Sequence, residues 1–302
     1  MSTVTNSTVS IVTAGKTSSA VLHKPKRKWG LSIRTGLQAI IIVVWCLLPF
    51  YWMIATAFRP VDETFKTSLF PPDPTWENFQ TALSTQMGNH LGAAIVNSLI
   101  IGLSVTLIAL LVGISAAYAI ARLEFKGKSF WAGIILAASM FPGVALLSPL
   151  FQLFTSLGWI GTYQALIIPS ISFVLPLTVY TLASFLREMP WELEEAARVD
   201  GCTRVQAFRR IIFPLAAPAV FTTAILAFIA SWNEYLIASY LTNASTQTVT
   251  VAIAGFTGSQ PHQEPYTAVM AAGTIVTVPL VILVLVLQRR IVAGLTAGGV
   301  KG

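Results

Sequence analysis

Apolar residues in this chain fall in blocks long enough to cross a bilayer, separated by polar connections. A spanning helix rises about 1.5 Å per residue and needs about 20 apolar residues. Six stretches qualify: Leu37–Phe58, Ile95–Ala121, Phe130–Phe154, Tyr163–Phe185, Leu215–Leu241 and Thr267–Leu287. The last holds the run Val276–Leu287, interrupted only by Thr277 and Pro279. The third and fourth contain Pro142 and Pro149, then Pro169 and Pro176. Proline removes a backbone hydrogen bond and kinks a helix, which is tolerated where neighbouring helices or a cavity compensate. These two segments are therefore not expected to be straight, lipid-facing rods. The first segment contains Trp45, Pro49 and Trp52 and follows a polar stretch ending in the basic run Lys24–Lys28. It reads as a retained signal anchor rather than a cleaved leader.

Composition narrows the class. The 302 residues are 55% hydrophobic and 10% charged, with a mean hydropathy of +0.72. Soluble domains carry about 25% charged residues, so a soluble enzyme, a disordered protein and an ordinary nucleic-acid binder are excluded. The expected fold class is all-α, a polytopic integral membrane protein with six transmembrane helices. Cys46 and Cys202 lie in an apolar run and a charged loop, so a disulfide between them is not expected. His23, His90 and His262 match no metal-ligand spacing, and no metal site is expected.

The net charge of +7 is a topology signal. Of the 19 Lys and Arg residues, all but Arg59 and Lys66 fall in the N-terminal stretch, the loops after the second and fourth segments, and the C-terminal end. Cytoplasmic loops collect Lys and Arg, so both termini and both basic loops are expected on the cytoplasmic side. The chain divides into a polar cytoplasmic tail over residues 1–32 and a transmembrane domain over 33–302. The domain includes a loop over 187–214 and a C-terminal tail over 289–302.

The loop Arg187–Phe213 carries ten charged residues. Pro190 suits a first helical position, and Glu192, Glu194 and Glu195 complement the positive end of a helix dipole. Gly201 after Asp200 suits a left-handed cap. Thr203 and Gln206 have the capping-box spacing, which starts a second helix that ends before Pro214. The prediction is a helix–glycine–helix elbow with arms of about ten residues, about 15 Å each. Leu193, Ala196 and Ala197 give the first arm a small apolar stripe. Such a stripe suits a groove in another protein or the bilayer surface, although three glutamates disfavour an anionic leaflet.

These residues resemble a family. Glu195-Ala196-Ala197, then Gly201, then Ile212 and Pro214 before an apolar helix, is similar to the EAA loop of ABC importer permeases. Asn97-Ser98, the stretch LGWIGTYQALIIP at Leu157–Pro169, and Trp232-Asn233-Glu234 are similar to carbohydrate importer permeases. The ending GLTAGGVKG at Gly294–Gly302 resembles that of the second, maltose-type permease. The resemblance implies that Glu195, Ala196, Ala197, Asp200, Gly201 and Pro214 couple the chain to an ATPase. It likewise implies that Gly298, Gly299 and Lys301 form a tail between two ATPases. Implied partners are a homologous sister permease, two ATPase subunits, an extracytoplasmic solute-binding protein, a carbohydrate substrate and membrane lipid. The implied location is a bacterial or archaeal inner membrane.

Energy and substrate enter by different routes. Gly127-Lys128-Ser129 is the nearest thing to a phosphate loop, but Arg122 stands where the motif needs its first glycine. The triplet is a turn, no cofactor is expected in this chain, and ATP with Mg belongs on partner subunits. Glu234 is the one clear intramembrane carboxylate, too few for ion coupling. It is expected to face the interior, with Trp232, Asn233 and Tyr235 as donors. Asn233 and Glu234 are candidates for the substrate path, or for a helix-packing network. The external stretch Phe70–Phe79 is stiffened by prolines, with Trp76 and Phe79 able to lie along the membrane surface. It is expected either to contact the binding protein or simply to connect helices. The expected function is carbohydrate import, with a polyol or glycerol phosphate as the alternative substrate.

Overall fold

The computed structural model describes residues 29–85, 90–256 and 266–299. Residues 1–28 of the expected tail, and Lys301, lie outside the described residues. The chain separates into two units, Met1–Pro49 and Phe50–Gly302. The boundary is the proline inside α1 (Trp29–Ala57). The first unit contributes the helical stretch up to Pro49, with side chains from Arg34 onward exposed.

The second unit is a helical bundle, and among the described residues no strand occurs. After α1 come α2 (Glu77–Leu83) and α3 (Leu91–Arg122). The 32 residues of α3 span about 48 Å, longer than the roughly 30 Å hydrocarbon layer. There follow α4 (Lys128–Ser139), α5 (Leu147–Ser156), α6 (Tyr163–Glu188), α7 (Glu192–Val199) and α8 (Arg204–Ala207). A π turn over Phe208–Ile212 leads into α9 (Phe213–Trp232). The chain then forms α10 (Leu236–Leu241), α11 (Val249–Ala254) and α12 (Tyr266–Gly299). The backbone of α12 remains helical through Gly298 and Gly299, where a separate tail was expected.

Among the described residues five helical stretches are long and apolar enough to cross a membrane, and α4 with the Gly143–Ser156 stretch makes a sixth crossing if counted as one span. That pair is bent by 85°. The break falls at Met140–Pro142, where Pro142 supplies no N–H and disfavours a helical conformation at Phe141. Pro149 sits in the first turn of α5, where it costs nothing. In contrast α6 runs unbroken through Pro169 and Pro176, and both prolines are buried.

The fifth expected segment is corrected. It is not one helix over Leu215–Leu241. Its helix begins in the loop at Arg204 and ends at Trp232, and α10 is separate. The physical cause at the near end is Pro214, whose ring collides with the carbonyl four residues back in a regular helix. The wider π turn at Phe208–Ile212 accommodates the chain there without stopping it.

Helix α3 is the centre of the bundle, packed against α6 and α9, while α12 packs against α9 and α2. Small residues permit the close approach that membrane helices rely on. A β-carbon at Gly113 would sit 2.6 Å from Thr178 Cγ2, and one at Gly102 2.9 Å from the Phe228 ring. Buried alanines such as Ala109, Ala117 and Ala216 continue these seams.

Candidate functional site

The elbow forms as the local chemistry dictates. Helix α7 ends with Gly201 at φ +86°. Cys202 N donates to Ala197 O at 2.9 Å, and Gly201 N donates to Arg198 O at 3.1 Å. That pair of bonds is the Schellman closure, which needs a left-handed residue and so favours glycine. The capping box is complete: Gln206 N donates to Thr203 Oγ1 at 3.3 Å and Thr203 N to Gln206 Oε1 at 2.8 Å.

Two details differ from the sequence reading. Helix α7 starts two residues after Pro190 and has 8 residues. The second arm is only the 4-residue α8, which continues through the π turn into α9. The apolar stripe is also divided. Leu193 and Ala197 are four apart and therefore on one helical face; Leu193 packs on the ends of α3, α6 and α9, and Ala197 is buried. Ala196 stays exposed with Glu195, Arg198 and Asp200. The projecting apolar groups are Val199, 87% exposed, and Val205, 65% exposed. Pro214 is the exposed second residue of α9.

The inner side of the elbow carries polar groups that the spacing did not reveal. Glu194 is buried and accepts from the Tyr118 hydroxyl at 2.7 Å. Arg122 is buried, donates to Met189 O at 2.6 Å and lies over the Trp191 ring, 4.6 Å from its centroid. Only the fold brings these residues to one place.

The chain breaks at Asn233 and Glu234 rather than running through them. Asn233 caps α9 and is exposed. The Glu234 carboxylate turns onto α10, where Ile237 N donates to Oε1 at 2.7 Å and Ala238 N to Oε2 at 2.9 Å. The donors are thus backbone amides of the next helix, not the side chains of Trp232, Asn233 or Tyr235. Thr250 Oγ1 completes the break by donating to Glu234 O at 2.6 Å. A cavity of about 190 Å³ opens beside it. Its walls are mostly apolar, with the Phe173 ring on one side and Ser170, Ser231 and Glu234 as polar groups. The Ser231 hydroxyl is buried without a hydrogen-bond partner.

The stretch Phe70–Phe79 is tied down from within. Phe58 packs 4.9 Å from the rings of both Trp76 and Phe79, and Asn78 Nδ2 donates to Ala57 O and Arg59 O. Arg59 is buried, bonded to Ser68 O and set over Trp52. Lys66 pairs with Glu63 at 2.5 Å. Arg59 and Lys66, the two basic residues of this connection, are therefore both engaged by nearby groups. Gly127, at φ +83°, starts α4 and gives Lys128 and Ser129 a helical role.

Residues 109–296 match the family model described as "Binding-protein-dependent transport system inner membrane component". The chain belongs to this family. It is 44% identical over 263 residues to the trehalose transport system permease protein SugB of Mycobacterium tuberculosis, covering 87% of this chain and 95% of that one. It is also 44% identical over 269 residues to the trehalose/maltose transport system permease protein MalG of Thermococcus litoralis, covering 88% and 95%. The crystal structure of a bacterial ABC transporter that imports alginate shares the fold. Its TM-score is 0.70 at 19% identity, over 87% of this chain and 97% of that chain.

In this permease the stretch Leu157–Pro169 and the pair Asn97-Ser98 shape the backbone between helices. Gly158 and Gly161 turn the chain between α5 and α6 at φ +67° and +77°. Gly161 also abuts Asn243, whose side chain leaves no room for a β-carbon. Asn97 and Ser98 bond to the connection between α10 and α11.

Proposed function

We propose that this permease is one of two homologous membrane subunits of an ATP-driven sugar importer fed by an extracytoplasmic binding protein. Two cytoplasmic ATPase subunits drive it, and both chain termini lie on their side of the membrane. The observation that carries the coupling role is the elbow itself. Glu195, Ala196, Asp200 and Gly201 are exposed on a short helix whose other face is buried in the bundle, so a push on the elbow reaches the spans. Ala197 holds the arm down, and Pro214 marks where it enters α9. Gly298, Gly299 and Lys301 are assigned to the ATPase-facing tail. This chain supplies no cofactor; ATP and Mg act on the partner subunits.

The substrate is assigned as a di- or oligosaccharide, in line with the trehalose and maltose in the names of the 44% identical relatives. Asn233 and Glu234 border the path. The carboxylate beside the cavity favours a neutral polyhydroxylated solute over glycerol phosphate, because like charges repel in a low-dielectric site.

The test is made on the complex reconstituted in vesicles with its binding protein, following uptake of labelled trehalose and maltose together with ATP hydrolysis. Removing residues 294–302, or replacing Gly201 with Trp, is expected to leave ATP hydrolysis running without matching uptake. Unchanged uptake after both alterations removes the coupling assignment. Uptake of glycerol phosphate in preference to either sugar removes the substrate assignment.

A further inference from the structure

The elbow is fastened to the foot of α3 by groups that its docking face does not use. Tyr118 and Arg122 are four residues apart and so project from one side of α3. They meet Glu194 and Trp191 of the elbow in two rungs. In the first, the Tyr118 hydroxyl donates to Glu194 Oε1 at 2.7 Å. In the second, the Arg122 guanidinium lies 4.6 Å from the Trp191 ring centroid and donates through Nη2 to Met189 O. The Tyr118 ring also rests 4.7 Å from Phe208, in the π turn that leads into α9.

Both charges are short of partners. Arg122 is 4% and Glu194 6% exposed. Glu194 Oε2, Arg122 Nε and Arg122 Nη1 are buried without a hydrogen bond. Among the described residues the ion pairs are Lys66–Glu63 and Lys128–Glu124, so Arg122 and Glu194 are not in contact as a pair. Buried charges of opposite sign attract in a low-dielectric setting, and each of these two keeps buried atoms without a partner while they are apart.

We propose that Arg122 and Glu194 are positioning residues of the transport cycle. The Tyr118 hydroxyl and the Trp191 ring hold them apart in this conformation, and they close into an ion pair when the elbow shifts. Closing the pair passes the elbow's movement to α3, the helix against which α6 and α9 pack. The inference rests on the elbow being the segment that meets the ATPase.

The test uses the complete complex in vesicles, reading ATP hydrolysis per assembled complex with and without the binding protein. E194Q keeps an oxygen to accept from Tyr118 but cannot pair as a charge with Arg122. Y118F leaves both charges and releases Glu194 toward Arg122. The two variants are expected to shift the hydrolysis rate in opposite directions, each by about fivefold, the lower end of coupling between linked sites. The R122Q/E194Q double variant is expected to match E194Q to about twofold, because the pair is already lost. Losses in the same direction for E194Q and Y118F overturn the proposal, as do unchanged rates in both. A double variant whose rate differs from that of E194Q by clearly more than twofold also overturns it. If R122Q/E194Q does not assemble, the opposite shifts of E194Q and Y118F decide alone. Unchanged uptake both with Gly201→Trp and after removal of residues 294–302 removes the underlying role of the elbow. An uncoupled Gly201→Trp complex beside unaltered E194Q and Y118F removes only the pair.

Discussion

The Tyr163 hydroxyl donates to Asn97 Oδ1 at 2.7 Å, joining the first residue of α6 to the second turn of α3. The same asparagine donates through Nδ2 to Ser245 O and Gln247 O, both at 3.0 Å. Its neighbour Ser98 accepts from Val249 N at 2.9 Å. Irregular backbone between short helices carries polar groups that must be satisfied within the protein wherever water is scarce. One Asn-Ser pair does so for the connection between α10 and α11.

Asn97→Ala leaves two carbonyls and a hydroxyl without their partner. The expected cost is about 1–3 kcal/mol, read as a fall of several degrees in the unfolding midpoint of the detergent-solubilised permease. Cleavage within residues 242–249 by a soluble protease should accelerate. An unaltered midpoint and cleavage rate would contradict the assigned role of Asn97.

Gly113→Ala places a methyl group 2.6 Å from Thr178 Cγ2. Thr178 is 1% exposed and its hydroxyl is bonded to Val174 O, so it cannot rotate away. The α3–α6 seam must open, at a cost of about 1–3 kcal/mol. Gly133→Ala is the control, because nothing lies within 4 Å of its β-carbon position. Survival of the folded protein after heating, measured by size-exclusion chromatography, should fall for the first and hold or rise for the second. Equal survival would show that the seam is not tight.

At Gly201 the β-carbon position is open, and only φ +86° resists substitution. The strain for an ordinary residue is about 1–2 kcal/mol, less for asparagine. The ratio of sugar taken up to ATP hydrolysed should therefore fall more for Gly201→Ala than for Gly201→Asn. Identical ratios would show that the left-handed cap does not matter to coupling.

Glu234→Gln offers one acceptor where Ile237 N and Ala238 N each use a carboxylate oxygen. The loss is about 1–2 kcal/mol locally, small enough for the complex to assemble. If Glu234 borders the substrate path, uptake drops about tenfold while assembly and basal ATP hydrolysis persist, a transition-free-energy change of about 1.4 kcal/mol. Loss of assembly instead would assign Glu234 to packing alone.

The elbow was legible because its chemistry is local. Gly201, Thr203 and Gln206 act on backbone groups within five residues of themselves, and neighbouring residues in a sequence are enough to specify such caps. The apolar blocks were legible for a similar reason, since span length depends only on counting apolar residues. The membership of the family likewise followed from motifs read in order along the chain.

Tertiary structure decided what depends on residues far apart. Glu194 reads as one more acidic residue of a first turn until Tyr118, 76 positions away, meets it inside the bundle. Proline content did not distinguish a broken third segment from an unbroken α6, because packing on α3 and α9 holds α6 together through both of its prolines. The fifth segment reads as one apolar block, yet its chain turns at Asn233. Backbone amides of α10 and the Thr250 hydroxyl, supplied by later parts of the chain, satisfy the polar groups freed there. Hydropathy alone sets which stretches leave water; the hydrogen bonds and close contacts available inside the bundle set where each stretch bends and which charges it buries.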